Sequence, residues 1–144
     1  MAVDVALALD TGQTVTADGS TDYIECEGGF LAWFHMYWGV MSGGSTTCDA
    51  YLMVSIDAGA NYYMKGKVQQ VGPSDDSKED RVPVYIPQPA TAGNKVRVRV
   101  KYEVAGGSPS YAVTRAQLEP MTSLAVPAID EQMQTGAASL IAAV

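Results

Sequence analysis

The chain has 144 residues, 47% of them hydrophobic and 17% charged, with a formal net charge of −7 and a mean hydropathy of +0.02. These values exclude a highly charged disordered chain, and the length suits one domain that buries about two-thirds of the surface its unfolded chain would expose. The charge is unevenly placed: the first 64 residues hold eight Asp or Glu and no Lys or Arg, so every base lies from Lys65 onward. An acidic chain with a pI near 4.4 repels phosphate, and neither nucleic acid nor membrane is expected as a partner.

The opening Met1-Ala2-Val3-Asp4 has an acid where a secretory signal carries bases, and no apolar run follows it. Synthesis in a cytoplasm without Sec export is the expectation, with Cys26 and Cys48 reduced and buried as small hydrophobes. Turn clusters rich in Gly, Asp and Ser then recur at short intervals and separate strand-like runs. Strands are predicted at 5–9, 13–17 and 21–26, where Asp22, Glu25 and Glu27 stand close together.

The next strand, 30–41, contains both Phe and both Trp of the chain. Its alternating sets are both apolar, Leu31, Trp33 and Tyr37 on one side and Phe30, Phe34, Met36 and Trp38 on the other. A central strand with cover on both faces is therefore predicted. One face is core; the other is covered by a loop or terminus, by another subunit, or serves as a platform for sugar rings. The sole histidine, His35, is read as a satisfied side chain without a role. The run is too short and too interrupted to span a bilayer as a helix.

Strands at 48–56, 61–71 and 81–86 follow, with an acidic stretch, Asp75-Asp76 and Glu79-Asp80, that lacks the ordered spacing of a calcium loop. Residues 95–104 alternate strictly between charged and apolar. This is a strand with one wet side, on which Lys95, Arg97, Arg99 and Lys101 form a basic stripe. The stripe either meets an acidic partner or a second copy, or is a solvated face paired with carboxylates across the sheet. After a Gly-rich turn, 110–118 reads as a strand that folds back beside 95–104 as a β-hairpin. The last stretch, 122–144, is apolar with Asp130 and Glu131 as its only charges. It is predicted as an extended or partly helical arm, with Leu124, Val126, Leu140 and Ile141 as contacts to a neighbour.

The predicted fold is thus all-β: one antiparallel, jelly-roll-like β-sandwich over 1–121 followed by the arm 122–144. No Gly-rich phosphate loop, His/Cys metal spacing or serine nucleophile elbow is present, so no catalytic residue, metal or cofactor is assigned. The candidate residues are those of a partner interface: Arg97, Arg99 and Lys101 on the basic strand, Trp33, Tyr37 and Trp38 on the aromatic strand, and the four arm residues. A carbohydrate-binding sandwich of a phage tail or fibre, with the aromatics stacked on sugar, is the alternative. A polysaccharide-cleaving enzyme would need two carboxylates facing each other in a cleft.

Two stretches also carry a family resemblance: Gln13-Thr14-Val15-Thr16-Ala17 with Ser20-Thr21-Asp22-Tyr23-Ile24, and Val96 to Val104 with Ser108-Pro109-Ser110-Tyr111-Ala112-Val113-Thr114. They resemble the jelly-roll capsid cement, or decoration, proteins of tailed bacteriophages. Residues 42–80 and 119–144 lie outside the match. The resemblance implies a non-enzymatic protein of the virion exterior that binds the major capsid protein of assembled shells. It also implies self-association, commonly as a homotrimer, and reinforcement of the shell against internal DNA pressure.

Overall fold

A computed structural model describes residues 6–72 and 78–121. Among them are ten strands and no helix: β1 (Leu7–Asp10), β2 (Gln13–Val15), β3 (Gly19–Ser20), β4 (Ile24–Cys26), β5 (Phe30–Ser42), β6 (Thr47–Ser55), β7 (Tyr63–Val71), β8 (Lys78–Ile86), β9 (Val96–Ala105) and β10 (Ser110–Pro120). They build two antiparallel sheets packed face to face. The first holds β1 and β2, then β10, β5 and β8; the second holds β3 and β4, then β9, β6 and β7. β1 and β2 pair with successive stretches of β10, and β3 and β4 with successive stretches of β9. Counting each couple as one interrupted strand leaves eight, in the orders 1-8-3-6 and 2-7-4-5, the double Greek key of a jelly roll.

The core follows from period-two alternation. β9 turns Val96, Val98, Val100 and Tyr102 inward, each at most 2% exposed, against Ala32, Phe34, Met36 and Trp38 of β5, each at most 1% exposed. Each fully buried aliphatic side chain contributes about 1.5–3 kcal/mol. The alternation is broken at two places in the first sheet, in β1, where adjacent Leu9 and Asp10 are both buried beside a register shift, and along the β10–β5 pair. Register shifts between Tyr111 and Arg115 mark bulges, and the inward set of β10 passes from Tyr111 and Val113 to Ala116 and Leu118. On β5 the corresponding step runs from Trp38 to Met41, which is also buried.

Two tyrosine hydroxyls tie the sheets together across this core. Tyr102 of β9 donates to Asp10 Oδ2 of β1 at 2.8 Å, while Asp10 also accepts from the Gly12 amide and the Gln13 side chain. The Tyr111 hydroxyl of β10 lies 2.8 Å from Thr46 Oγ1 and accepts from the Gly72 amide. At the other margin β7 approaches β8 so closely that a Cβ on Gly66 would lie 2.7 Å from Val84 Cγ1.

One sequence expectation is corrected: β9 and β10 are not a hairpin. β9 pairs with β3, β4 and β6, whereas β10 pairs with β1, β2 and β5 in the opposite sheet. Both strands have an apolar face, and facing each other across the core satisfies it as well as lying side by side would. Sheets stack about 10 Å apart, within reach of the short linker 106–109. That linker turns tightly over the 45–46 corner, since Gly106 has φ +105° and a Cβ there would sit 2.6 Å from the Ser45 carbonyl oxygen.

Cys26 and Cys48 are free and buried. Cys26 pairs with Val96 and Cys48 with Val104, opposite ends of β9, so no intramolecular disulfide can join them. Burial pushes their thiols up to about 11 and about 12. The predicted arm lies outside the described residues.

Tyr102→Phe removes the donor to Asp10 and is expected to cost about 1–2 kcal/mol, read as a lower urea midpoint with unchanged slope. Gly66→Val forces a branched side chain into the β7–β8 contact and is expected to cost about 1–3 kcal/mol in the same measurement.

Candidate functional site

The central strand of each sheet projects its second set of side chains away from the core, and these two outer faces carry the candidate residues. On the first, β5 presents Leu31, Trp33, His35 and Tyr37. β8 sets Arg81 opposite His35 and Glu79 opposite Tyr37. β10 sets Glu119 opposite Trp33, Gln117 opposite His35 and Arg115 opposite Tyr37. Diagonal neighbours on such a face are within reach of long side chains. His35 uses this reach on both sides: Nδ1 lies 2.7 Å from Glu119 Oε2 and Nε2 lies 2.8 Å from Glu79 Oε1. An ionised carboxylate only accepts, so the imidazolium form, with N–H on each nitrogen, makes both bonds at once. His35 therefore clamps β8 and β10 onto β5.

The clamp extends into a network. Gln117 donates to Glu119 and accepts from Arg115 Nε, the Tyr37 hydroxyl donates to Glu119 at 3.4 Å, and the Tyr37 ring stacks on His35 with centroids 4.1 Å apart. Partial burial works against ionisation of Glu119, but the hydrogen bonds from Gln117, His35 and Tyr37 and the His35 charge outweigh it, holding the carboxyl below the ordinary glutamate range. Trp33 is half-buried with the Arg81 guanidinium 4.3 Å above its ring. The cover that the aromatic strand requires thus comes in good part from its own neighbours.

Trp38 does not belong to this face. It points into the core at 1% exposure and donates from Nε1 to Asp80 Oδ2 at 2.9 Å, so its place among the interface candidates is corrected. Alternation sets it apart from Trp33 and Tyr37 without saying which set is core, and an indole in the core needs only one buried acceptor. Asp80 also accepts from Gln70, and Glu79 is taken by His35, so the described part of the acidic stretch is spent on internal bonds. Asp75 and Asp76 lie outside the described residues, as do Leu124, Val126, Leu140 and Ile141.

The outer face of the second sheet carries the basic stripe. Arg97, Arg99, Lys101 and Glu103 of β9 lie beside Ser55, Met53, Tyr51 and Asp49 of β6. Two of the stripe's four cations, Arg97 and Lys101, are neutralised where they stand. Arg97 Nε lies 3.4 Å from Glu25 Oε2 with its guanidinium 4.2 Å from the Tyr23 ring, Lys101 lies 3.2 Å from Glu103, and Lys67 lies 3.8 Å from Asp49. The acidic first part of the chain and the one basic strand of the nearly neutral remainder meet here. Arg99 differs: its guanidinium lies 3.8 Å from the Tyr62 ring, and its buried Nε has no hydrogen-bond partner among the described residues.

Trp33 and Tyr37 therefore lie on one side of the sandwich and Arg97, Arg99 and Lys101 on the other, and no single flat contact covers both. A cleft of about 610 Å3 at one end is lined by Glu27, Gly28, Gly29, Phe30 and the 88–95 loop. Glu27 is the one carboxylate among its lining residues, while Glu25 faces Arg97 on the sheet. Glu25 and Glu27 do not share a strand face, because β4 ends at Cys26. Sequence reasoning missed His35, Glu79 and Glu119 as a unit. Alternation placed His35 beside Trp33 and Tyr37, but nothing local names partners 44 and 84 residues away. No known protein family matches this sequence, and no characterised protein does.

Because the folded Glu119 carboxyl titrates below its unfolded value near 4.5, its stabilising contribution is present above that pH and is lost as pH falls through the folded value. Urea unfolding across pH 2–7 is expected to show a shallower acid limb for Glu119→Gln than for the parent. His35→Gln, whose single amide cannot span from Glu79 to Glu119 as the ring does, is expected to cost about 1–2 kcal/mol in the same measurement.

Proposed function

We propose that this chain is a non-enzymatic structural protein of a tailed-phage virion, which binds the outside of the assembled capsid and stabilises contacts between major capsid protein subunits. The observation that carries the reading is how the two resemblance-bearing stretches meet. Gln13, Thr14 and Val15 pair with Val113, Ala112 and Tyr111 in one sheet, and Gly19, Ser20 and Ile24 pair with Tyr102, Lys101 and Val98 in the other. Residues that stand 74 to 100 positions apart in sequence thus pair along a margin of each of the two sheets of the jelly roll. A shared pattern that folds into a contiguous unit supports common architecture better than scattered similarity would.

The mechanism is mass action. A domain that binds only the assembled shell lowers the free energy of that state as its concentration exceeds its dissociation constant, and no chemical step is involved. Self-association as a homotrimer belongs to the same proposal, since a multimer bridges several capsid subunits and gains avidity. The sugar-binding alternative has less to work with. Trp38 is core, one face of Trp33 is taken by Arg81, and Tyr37 is stacked on His35.

The purified chain is expected to co-sediment saturably with expanded, undecorated phage shells, at a stoichiometry set by shell symmetry, and to raise the temperature at which the shells rupture. Retention in the supernatant at every ratio, together with binding on a glycan array, would replace this reading with the carbohydrate one.

A further inference from the structure

At one end of the second sheet's outer face the side chains change character. Met53 of β6 pairs with Arg99 on one side and with Met64 of β7 on the other, so the row reads arginine, methionine, methionine. Met64 is 54% exposed, and Tyr23, whose ring carries Arg97, is 45% exposed. Tyr62 closes the patch from the loop that follows β6. That loop is fixed by its own hydrogen bonds: Asp57 accepts from the Asn61 side chain and amide and from the Ser55 hydroxyl, which hold its carboxyl down to about 2. Tyr62 is thereby delivered onto Arg99.

Arginine, tyrosine and methionine are the residues enriched where proteins bind proteins, and an arginine seated on an aromatic ring is pre-organised for a planar, two-pronged acceptor. On the same strand Arg97 and Lys101 each have a carboxylate within 4 Å, whereas Arg99 has none among the described residues. Resting on the reading above, we infer that the Tyr23, Tyr62, Met53 and Met64 patch is the surface that docks the capsid shell, with Arg99 receiving an Asp or Glu carboxylate of a shell subunit. A carboxylate is favoured over phosphate because the protein as a whole carries −7 and would repel a polyanion. Within this patch charge complementarity rests on Arg99, and the tyrosine and methionine side chains exclude water around it.

The test uses full-length chains carrying Arg99→Met, Arg99→Lys, Tyr62→Leu or, as a control on the same strand, Lys101→Gln. Each is titrated onto expanded, undecorated shells by co-sedimentation and compared in thermal melts and sedimentation equilibrium. Arg99→Met and Arg99→Lys are expected to weaken shell binding at least tenfold, Tyr62→Leu several-fold and Lys101→Gln less than twofold, with melting temperatures within about 2 °C of the parent. If Arg99→Met binds shells like the parent, this docking surface is wrong while the capsid reading stands. If the parent itself stays in the supernatant, the capsid reading fails and this inference with it. If Arg99→Met instead dissolves an oligomer that the parent forms without shells, the occupant is a second copy, and the shell contact is overturned.

Discussion

The structure hangs on the phase of β9. Its inward residues Val96, Val98, Val100 and Tyr102 are sealed in the core, and its outward residues are Arg97, Arg99, Lys101 and Glu103. A slip of one residue would exchange the two sets and drive four charges into an apolar layer, each at a penalty of several kcal/mol. No packing gain offsets that, so the strand has one allowed registration. Its neighbours inherit it: Leu52 of β6 sits opposite Val100 and Ile24 of β4 opposite Val98, which fixes their own inward sets. The Tyr102 hydroxyl carries the same phase across the core to Asp10 in β1.

This is why the strands were legible in the sequence and their partners were not. Alternation is local, and β5, β6, β9 and β10 start and stop within about two residues of where turn residues and apolar period place them. Which strand lies beside which is decided by loop reach and by the pairing of faces, and neither is written in a single segment. The β9–β10 connection shows the gap, because two strands with matching apolar faces and a glycine-rich turn satisfy a hairpin and a sheet crossing equally well. The bulges of β10 hide in the same way: Val113 and Ala116 are both buried although three residues apart, and no local residue type announces the shift.

The candidate surfaces were legible as compositions rather than as sites. The alternation of β5 separates Trp38 from Trp33 and Tyr37, but both sets are apolar and the period alone does not say which one faces the core; burial of the Trp38 set is seen only in the fold. His35 gave no signal, since its meaning lies in Glu79 and Glu119, which arrive from strands on either side. The basic stripe was visible in full, but its neutralisation was not. Glu25 reaches Arg97 because β4 pairs with β9, and Lys67 approaches Asp49 because β7 pairs with β6. The charge asymmetry of the chain is thus resolved by topology, as acids from the first half settle beside bases from the second.

The margins of the sandwich narrow the ways it can associate. β8, one edge of the first sheet, carries Pro83 in its middle, and β7, one edge of the second, is bulged at Lys65 and carries Lys67, devices that discourage the addition of another strand on that margin. On the first face the His35 clamp spends both of its carboxylates internally, and most cations of the second face are spent on acids of the same sheet. A natural fold tends to leave a local rule unsatisfied where something else is meant to satisfy it. Among the described residues, the buried Nε of Arg99 is the one buried side-chain donor or acceptor left in that condition, and it stands beside half-buried Tyr62 and Met53 on the outer face of the sheet rather than in the core. Because that Nε is itself closed to solvent, a carboxylate brought from outside would meet the guanidinium through its terminal nitrogens.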